Sequence, residues 1–307
     1  MWVSTTLGRA RNLGWVAACA MFIGCSSDEV TGPATNNTLF TSVTLATAPG
    51  GLTDLSSSVP DAADQFIYFV AKSPNGAGVF KVPSTGGLPS QVAAGSPFVQ
   101  PTDIVLTTDN QTIVVADPAA GSIFQVAIAD GHTTAISETS QTNPVALDLK
   151  SESGSDAIYY CGIKDGQKAI FKKTASGLTV LHSGPPLSAP TGIVAANDGA
   201  IYIADQSVIH RLSGGTITQI ATGLTLGSPA GITLTPDEKA VVVSAKSSSG
   251  KSQATIIAIA TGEQTVFNNI IGANSAPAGL HGARNANGFT GLYSWADRVG
   301  GIYRLKP

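Results

Sequence analysis

Charge is what this chain has least of. Asp, Glu, Lys and Arg make up 12 % of its 307 residues, about half the share of an average soluble domain, roughly 25 %. Only 5 glutamates and 2 methionines are present, too few to coat and fill helices, so a large helical protein is excluded. The 17 basic residues are scattered among 20 acidic ones, for a net charge of -3, which leaves no electrostatic footprint for nucleic acid. No apolar run reaches the roughly 18 residues of a membrane-spanning helix. Catalytic signatures are missing as well: there is no GxSxG, HExxH, P-loop or CxxC. What the chain has instead is 34 Gly, 17 Pro, 30 Ser and 31 Thr, filling 112 of 307 positions. Hydrophobic residues stand at 43 %, too many for intrinsic disorder, and they come as short runs of Val, Ile and Ala. The composition describes an all-β globular protein with many turns.

Residues 1–24 have the layout of an export leader: Arg9 and Arg11, then an uncharged stretch from Leu13 to Gly24. As a helix that stretch would span roughly 18 Å, short of the about 30 Å of a hydrocarbon core. Its end, Phe22-Ile23-Gly24-Cys25 followed by Ser26-Ser27-Asp28-Glu29, resembles the lipobox of bacterial lipoproteins. The resemblance implies acylation of Cys25, which becomes the new N-terminus and the membrane anchor. Phe22 departs from the Leu that the lipobox prefers, and Ala18-Cys19-Ala20 leaves open an ordinary cleavage site and a secreted protein. Ser26 stands where an Asp would imply inner-membrane retention, which directs a lipoprotein to the outer membrane where the organism has one. Residues 25–38 are small and polar and read as a flexible tether. With Cys19 removed and Cys25 lipidated, Cys161 is the only thiol left, so no intramolecular disulfide is expected. At the end of the run Ala157-Ile158-Tyr159-Tyr160 it reads as a buried, inert thiol.

The remainder, 39–307, repeats. The phrase is a Pro, a variable residue, a small or acidic residue and an Ile or Leu, followed eight to ten residues on by a strongly apolar run. It stands as Pro101-Thr102-Asp103-Ile104 with Thr112–Asp117, and as Pro190-Thr191-Gly192-Ile193 with Ile201-Tyr202-Ile203-Ala204-Asp205. Weaker copies begin at Pro144, Pro229 and Pro277, and a first copy without Pro is Leu52-Thr53-Asp54-Leu55. Aligned on the third position, the copies fall at 54, 103, 146, 192, 231 and 279, the 40–50-residue period of a propeller blade. Each unit carries further short β patterns, so four strands per unit follows. The last unit has three candidates only, near Gly279, Gly291 and Gly301. The missing strand is Leu39–Leu45, which alternates apolar and hydroxylated side chains. Pairing it with Ile302–Leu305 predicts a six-bladed β-propeller of four-stranded blades, closed by an N-terminal strand joining the C-terminal blade. Closure buries two edges that would otherwise be open.

These phrases, above all Pro190–Ile193 leading to Ile201–Asp205, look like the repeats of six-bladed propellers of the NHL and SMP-30/gluconolactonase type. The resemblance implies the fold over 39–307 and says little about function, since such rings host lactonases, lyases and binding modules. In the lactonase branch a divalent metal sits at the channel mouth on Asn, Asp and Glu side chains, several from the variable position of this phrase. Here those positions are Thr53, Thr102, Val145, Thr191, Ala230 and Ala278. Hard cations need several oxygen ligands, usually including carboxylates, so no metal, no cofactor and no catalytic residue is expected. Asp54 and Asp103 are offset by one residue and read as acceptors of turn amides. Asp117, Asp205 and Asp297, each closing a second strand, read as caps of the following turn, with ligand contact as the other use.

His281 and Trp295, in the most divergent unit, are the candidate pair for a mouth site, since an imidazole beside an aromatic surface suits a small ligand. With Thr53, Thr102, Thr191 and Asp297 they form the candidate channel-mouth binding set. His132, His182 and His210 are expected to be exposed. Lys246–Ser252 ends in Gly-Lys-Ser but lacks the first P-loop glycine, Ala245 standing in its place, and reads as a hairpin tip. The reading is therefore a lipid-anchored, monomeric, extracytoplasmic binding or scaffolding module with an unknown protein or small-molecule ligand. The alternative is an SMP-30-like hydrolase, lactonase or lyase acting at the channel mouth.

Overall fold

The computed structural model describes residues 40, 42–267 and 276–306, so the leader, Cys25 and the tether expected over 25–38 lie outside the described residues. Among the described residues the regular structure is all strand. The first strand, β1 (Ser42–Thr47), is followed by blade one, β2 (Thr53–Pro60), β3 (Phe66–Ser73), β4 (Gly76–Pro83) and β5 (Ser90–Ala94). Blade two is β6 (Asp103–Leu106), β7 (Thr112–Asp117), β8 (Ser122–Ala127) and β9 (Thr133–Ala135). Blade three is β10 (Ala146–Glu152), β11 (Ser155–Lys164), β12 (Gln167–Thr174) and β13 (Gly177–Ser183). Blade four is β14 (Pro190–Ala195), β15 (Ile201–Asp205), β16 (Val208–Ser213) and β17 (Thr216–Ala221). Blade five is β18 (Ile232–Leu234), β19 (Ala240–Lys246), β20 (Ser252–Ala258) and β21 (Gln264–Phe267). Blade six is β22 (Pro277–Asn285), β23 (Gly288–Asp297) and β24 (Gly301–Lys306), with β1 as its outermost strand.

Each blade is an antiparallel sheet of four strands in meander order. The inner strands β2, β6, β10, β14, β18 and β22 adjoin one another in a closed cycle, with β22 returning to β2. The molecule is a six-bladed β-propeller. The closing strand forms as the alternation in the sequence predicts. Val43 pairs with Leu305, Thr44 with Arg304 and Leu45 with Tyr303, and a register shift before Thr47 meets Ile302.

The blades stand because each is apolar on both faces. Successive side chains in a strand point to opposite sides, so one strand feeds two cores. Ile113 and Val115 of β7 pack toward blade one, while Val114 and Ala116 pack toward blade three. The described residues form six such cores, one at each blade boundary, from Val59–Ile104 between blades one and two to Leu55–Ala278 between blades six and one. This two-sided burial explains the near-continuous apolar second strands and the low charge. Neighbouring inner strands come close where the phrase has glycine. A Cβ on Gly192 would lie 2.4 Å from the Ala230 carbonyl oxygen, and one on Gly231 would lie 2.1 Å from the Leu280 nitrogen.

One repeat assignment needs correction. Val70 and Ala116 occupy the same place in their second strands, and their partners on the inner strands are Ser57 and Asp103. The first copy of the phrase is therefore Ser56-Ser57-Ser58, not Thr53-Asp54-Leu55. A register shift between Thr53 and Ser57 absorbs the three residues, and Asp54 sits there with φ 52°. The missing Pro and the serine run hid this copy.

Candidate functional site: the propeller axis

All six inner strands begin at one end of the ring, the mouth, and their first turns hold the positions that the family resemblance assigns to metal ligands. Two of the hydroxyls there join one blade to the next. Ser56 Oγ donates to the Pro101 carbonyl at 3.0 Å, and Thr102 Oγ1 donates to the Val145 carbonyl at 2.7 Å. Thr191 accepts the Ala230 N–H on its carbonyl. Val145, Ala230 and Ala278 supply no side-chain oxygen. Among the described residues no three His, Cys, Asp or Glu side chains gather in a metal-holding group. The donor set at the mouth, two or three hydroxyls beside three apolar side chains, does not fit a hard divalent cation.

Deeper on the axis the inner strands bring polar side chains together. Asp103, 4 % exposed, does not serve turn amides. Its Oδ1 accepts from Ser57 Oγ at 2.6 Å, from His281 Nε2 at 2.7 Å and from its neighbour Ile104 N–H at 3.0 Å. Its Oδ2 accepts the Leu147 N–H at 2.8 Å. One carboxylate thus joins blades one, two, three and six. Asp148, 6 % exposed, repeats the arrangement further along: Oδ2 accepts the Ala195 N–H at 2.8 Å and lies 3.3 Å from Arg284 Nη2, which also donates to the Ala195 carbonyl at 2.7 Å. The Arg284 guanidinium rests 3.9 Å over the Phe289 ring. Lys150 Nζ donates to the Ala196 carbonyl at 2.9 Å, and Thr233 Oγ1 accepts the Gly282 N–H at 3.1 Å. Blades two and three are thereby tied across the channel to blade six.

Electrostatics follow from this packing. Burial alone pulls the His281 imidazole down. The Asp103 charge and hydrogen bond, with Asp148 adding and Arg284 opposing, outweigh burial and hold the imidazole above its usual value. Ser57 and His281 donate to the same oxygen, whereas a nucleophilic serine donates to the imidazole that takes its proton. The arrangement ties blades one, two and six together, with no activated nucleophile in it.

The candidate mouth set does not converge. His281 is on the axis, buried beneath the mouth. Trp295 has no exposed surface; it faces the core between blades five and six with Leu280 and lies 5.6 Å from Tyr303. His281 and Trp295 are on opposite faces of their sheet, because their partners Ser294 and Leu280 are one residue apart in register. Asp297 is fully buried and accepts the Val299 and Gly300 N–H groups and the Ser252 hydroxyl. Asp117 and Asp205 likewise hold backbone amides, mostly of the segments that lead into their own inner strands: Val99 and Gln100 for Asp117, Ser188 and Ala189 for Asp205. Thr53 is exposed at the start of β2, Thr102 and Thr191 are half-buried, and Thr102 is committed as above. His210, expected at the surface, is buried on β16, and burial lowers its affinity for a proton against the opposing charge of Asp205. Cys161 is buried, and burial first, with Asp103 and Asp205 adding, pushes its thiol well up.

The sequence reading missed Ser57, Asp148, Lys150 and Arg284. A signal for Asp148 existed: it holds the same place in its repeat as His281, two residues past the third position, where other copies have Val105 and Val194.

No protein-family model matches the chain, and no curated protein matches it. Solved structures do. A gluconolactonase from Xanthomonas campestris superposes with a TM-score of 0.61 at 12 % identity, covering 85 % of this chain and 87 % of that one. An auxiliary nutrient binding protein from Bacteroides thetaiotaomicron gives 0.59 at 13 %, covering 83 % and 69 %. A chain of a nidogen/laminin complex gives 0.56 at 14 %, covering 70 % and 80 %. At such identities the likeness is one of fold: the propeller is shared, and function does not transfer with it.

Proposed function

We propose that this chain is an extracytoplasmic binding or scaffolding propeller, held to a membrane by a lipid on Cys25. The observation that carries the binding reading is the axis. The polar side chains that meet on the axis beneath the mouth, Asp103, Asp148, His281 and Arg284, are 4–8 % exposed and engaged with one another across the channel. A site so occupied stiffens a ring and leaves its rim and loops to meet a ligand. Among neighbours of the same fold, an auxiliary nutrient binding protein is in keeping with that reading, and the lipobox-like Phe22–Cys25 supports the anchor.

The test uses the full chain, expressed with its own leader and extracted in detergent. It is immobilised and offered an array of saccharides, peptides and lactones with and without millimolar calcium, and the retained and released compounds are identified by mass spectrometry. The expected outcome is retention of a ligand in chemically unchanged form. Conversion of any compound above its uncatalysed rate, abolished by His281→Gln, would establish the hydrolase or lyase reading instead.

A further inference from the structure

One recess away from the axis lies on the side of blade five. It is a cleft of about 720 Å³, walled by Gly223 and Thr225 of the β17–β18 connection and by the β19–β20 hairpin with Lys246, Ser248, Lys251 and Gln253. That volume falls within the roughly 300–1,000 Å³ of small-molecule sites. The walls are held by backbone bonds: Lys246 N–H donates to the Thr225 carbonyl at 2.7 Å, Leu226 bridges Ala245, and Ser247 N–H donates to the Lys251 carbonyl at 2.7 Å. Ser247 Oγ accepts the Lys251 N–H at 3.0 Å and closes the turn.

The chemistry of the lining is one-sided. Among the described residues it contains four serines, of which Ser252 already donates to Asp297, a threonine, a glutamine and two lysines, with Val266 as its one large apolar side chain and no carboxylate. Among the described residues neither lysine has an ion-pair partner, while the chain as a whole is at -3. Walls with little apolar surface gain little from a hydrophobic ligand. Closely set hydroxyls and an amide suit a ligand that itself carries many hydroxyls, and two unpaired ammonium groups favour negative charge on it. We infer that this cleft binds an acidic saccharide, with Lys246 and Lys251 meeting its carboxylates and Ser248, Ser249, Thr225 and Gln253 meeting its hydroxyls. The inference rests on the binding-module reading and names its ligand class.

The experiment titrates the detergent-extracted full chain with tri-galacturonate, with neutral galactotriose and with inorganic phosphate, by calorimetry at low and high salt. The expected result is saturable binding of tri-galacturonate that weakens as salt screens the lysines, with no heat from galactotriose and no competition by phosphate. The Lys246→Gln/Lys251→Gln variant, at one half-buried and one exposed position with no ion-pair partner among the described residues, should melt with the wild type and bind at least tenfold more weakly. Absence of tri-galacturonate binding, equal binding by that variant, or equal affinity for phosphate would overturn the assignment. If tri-galacturonate fails while another compound is retained unchanged in the array, the cleft assignment falls and the binding module stands. If the array retains nothing, both fall.

Discussion

At the scale of single residues the axis makes the sharpest demands. Asp103 accepts hydrogen bonds from three elements beyond its own strand, so Asp103→Ala leaves a buried imidazole, a hydroxyl and an amide without their acceptor. Breaking one side of a buried pair costs about 3–5 kcal/mol, and urea denaturation of the variant should show a loss of that order. His281 makes the molecule sensitive to pH. Its folded value is raised by Asp103 and Asp148 against burial and Arg284, so its contribution is fully present below the unfolded value, about 6.5, and disappears as pH rises through the folded one. The unfolding free energy of the wild type should fall over that window, and His281→Gln should flatten the fall; an unchanged slope in the variant would refute the coupling. Gly231 illustrates steric demand. Its added Cβ would lie 2.1 Å from a backbone nitrogen of the next blade, which cannot swing aside, so Gly231→Ala should cost about 3 kcal/mol, the upper range for overpacking. The repeat pattern sets a small or acidic residue at this third position of the phrase, but the partner atoms belong to the next blade and have no counterpart in a linear pattern.

At the scale of elements, β1 decides whether the ring is closed. It brings Val43 into the core between blades five and six, which Phe40 also joins, and Ala46 into the core between blades six and one. Burial of a Phe and a Val side chain is worth about 4 kcal/mol, before counting the ladder to β24. Deletion of residues 39–46 should therefore lower the melting temperature by about 10 °C or more, at roughly 2–4 °C per kcal/mol for a domain of this size. Thermal unfolding followed by circular dichroism checks this, and a truncation that melts with the parent would argue against the closing role. The alternation in Leu39–Leu45 and the three-strand last unit were enough to foresee this strand. The first repeat was not placed correctly, because a register shift and a serine run replaced the Pro-led phrase with one that carries no apolar landmark.

At the scale of the whole molecule, the ties across the axis set the cooperativity. Repeat arrays in which each unit touches only its neighbours can unfold in pieces. Here Asp103 and Asp148 link blades that are not adjacent, and the closing strand links the two ends of the ring. Trp295, one of 3 tryptophans and the one beyond the expected leader, sits between blades five and six. Its fluorescence and the far-ultraviolet dichroism of all the blades should trace coincident urea transitions; separated midpoints would show that the blades unfold independently. The proposed lipid anchor on Cys25 belongs to this scale too. Alkyne-palmitate labelling of the chain should be lost in Cys25→Ala together with retention in the membrane fraction.

The class, the number of blades, the closing strand and the buried thiol are written in the linear order of residues, because each depends on local periodicity: alternation within a strand, the recurrence of one phrase, and a count of strands. Tertiary structure alone decided what the polar residues do. Asp103 and His281 are 178 positions apart, and Asp148 meets Arg284 across the channel. Whether a buried carboxylate holds a metal, activates a nucleophile or ties blades together depends on which donors the ring brings to it. Trp295 and His281, neighbours in a candidate list, part company because a difference of one residue in register sends them to opposite faces of the same sheet.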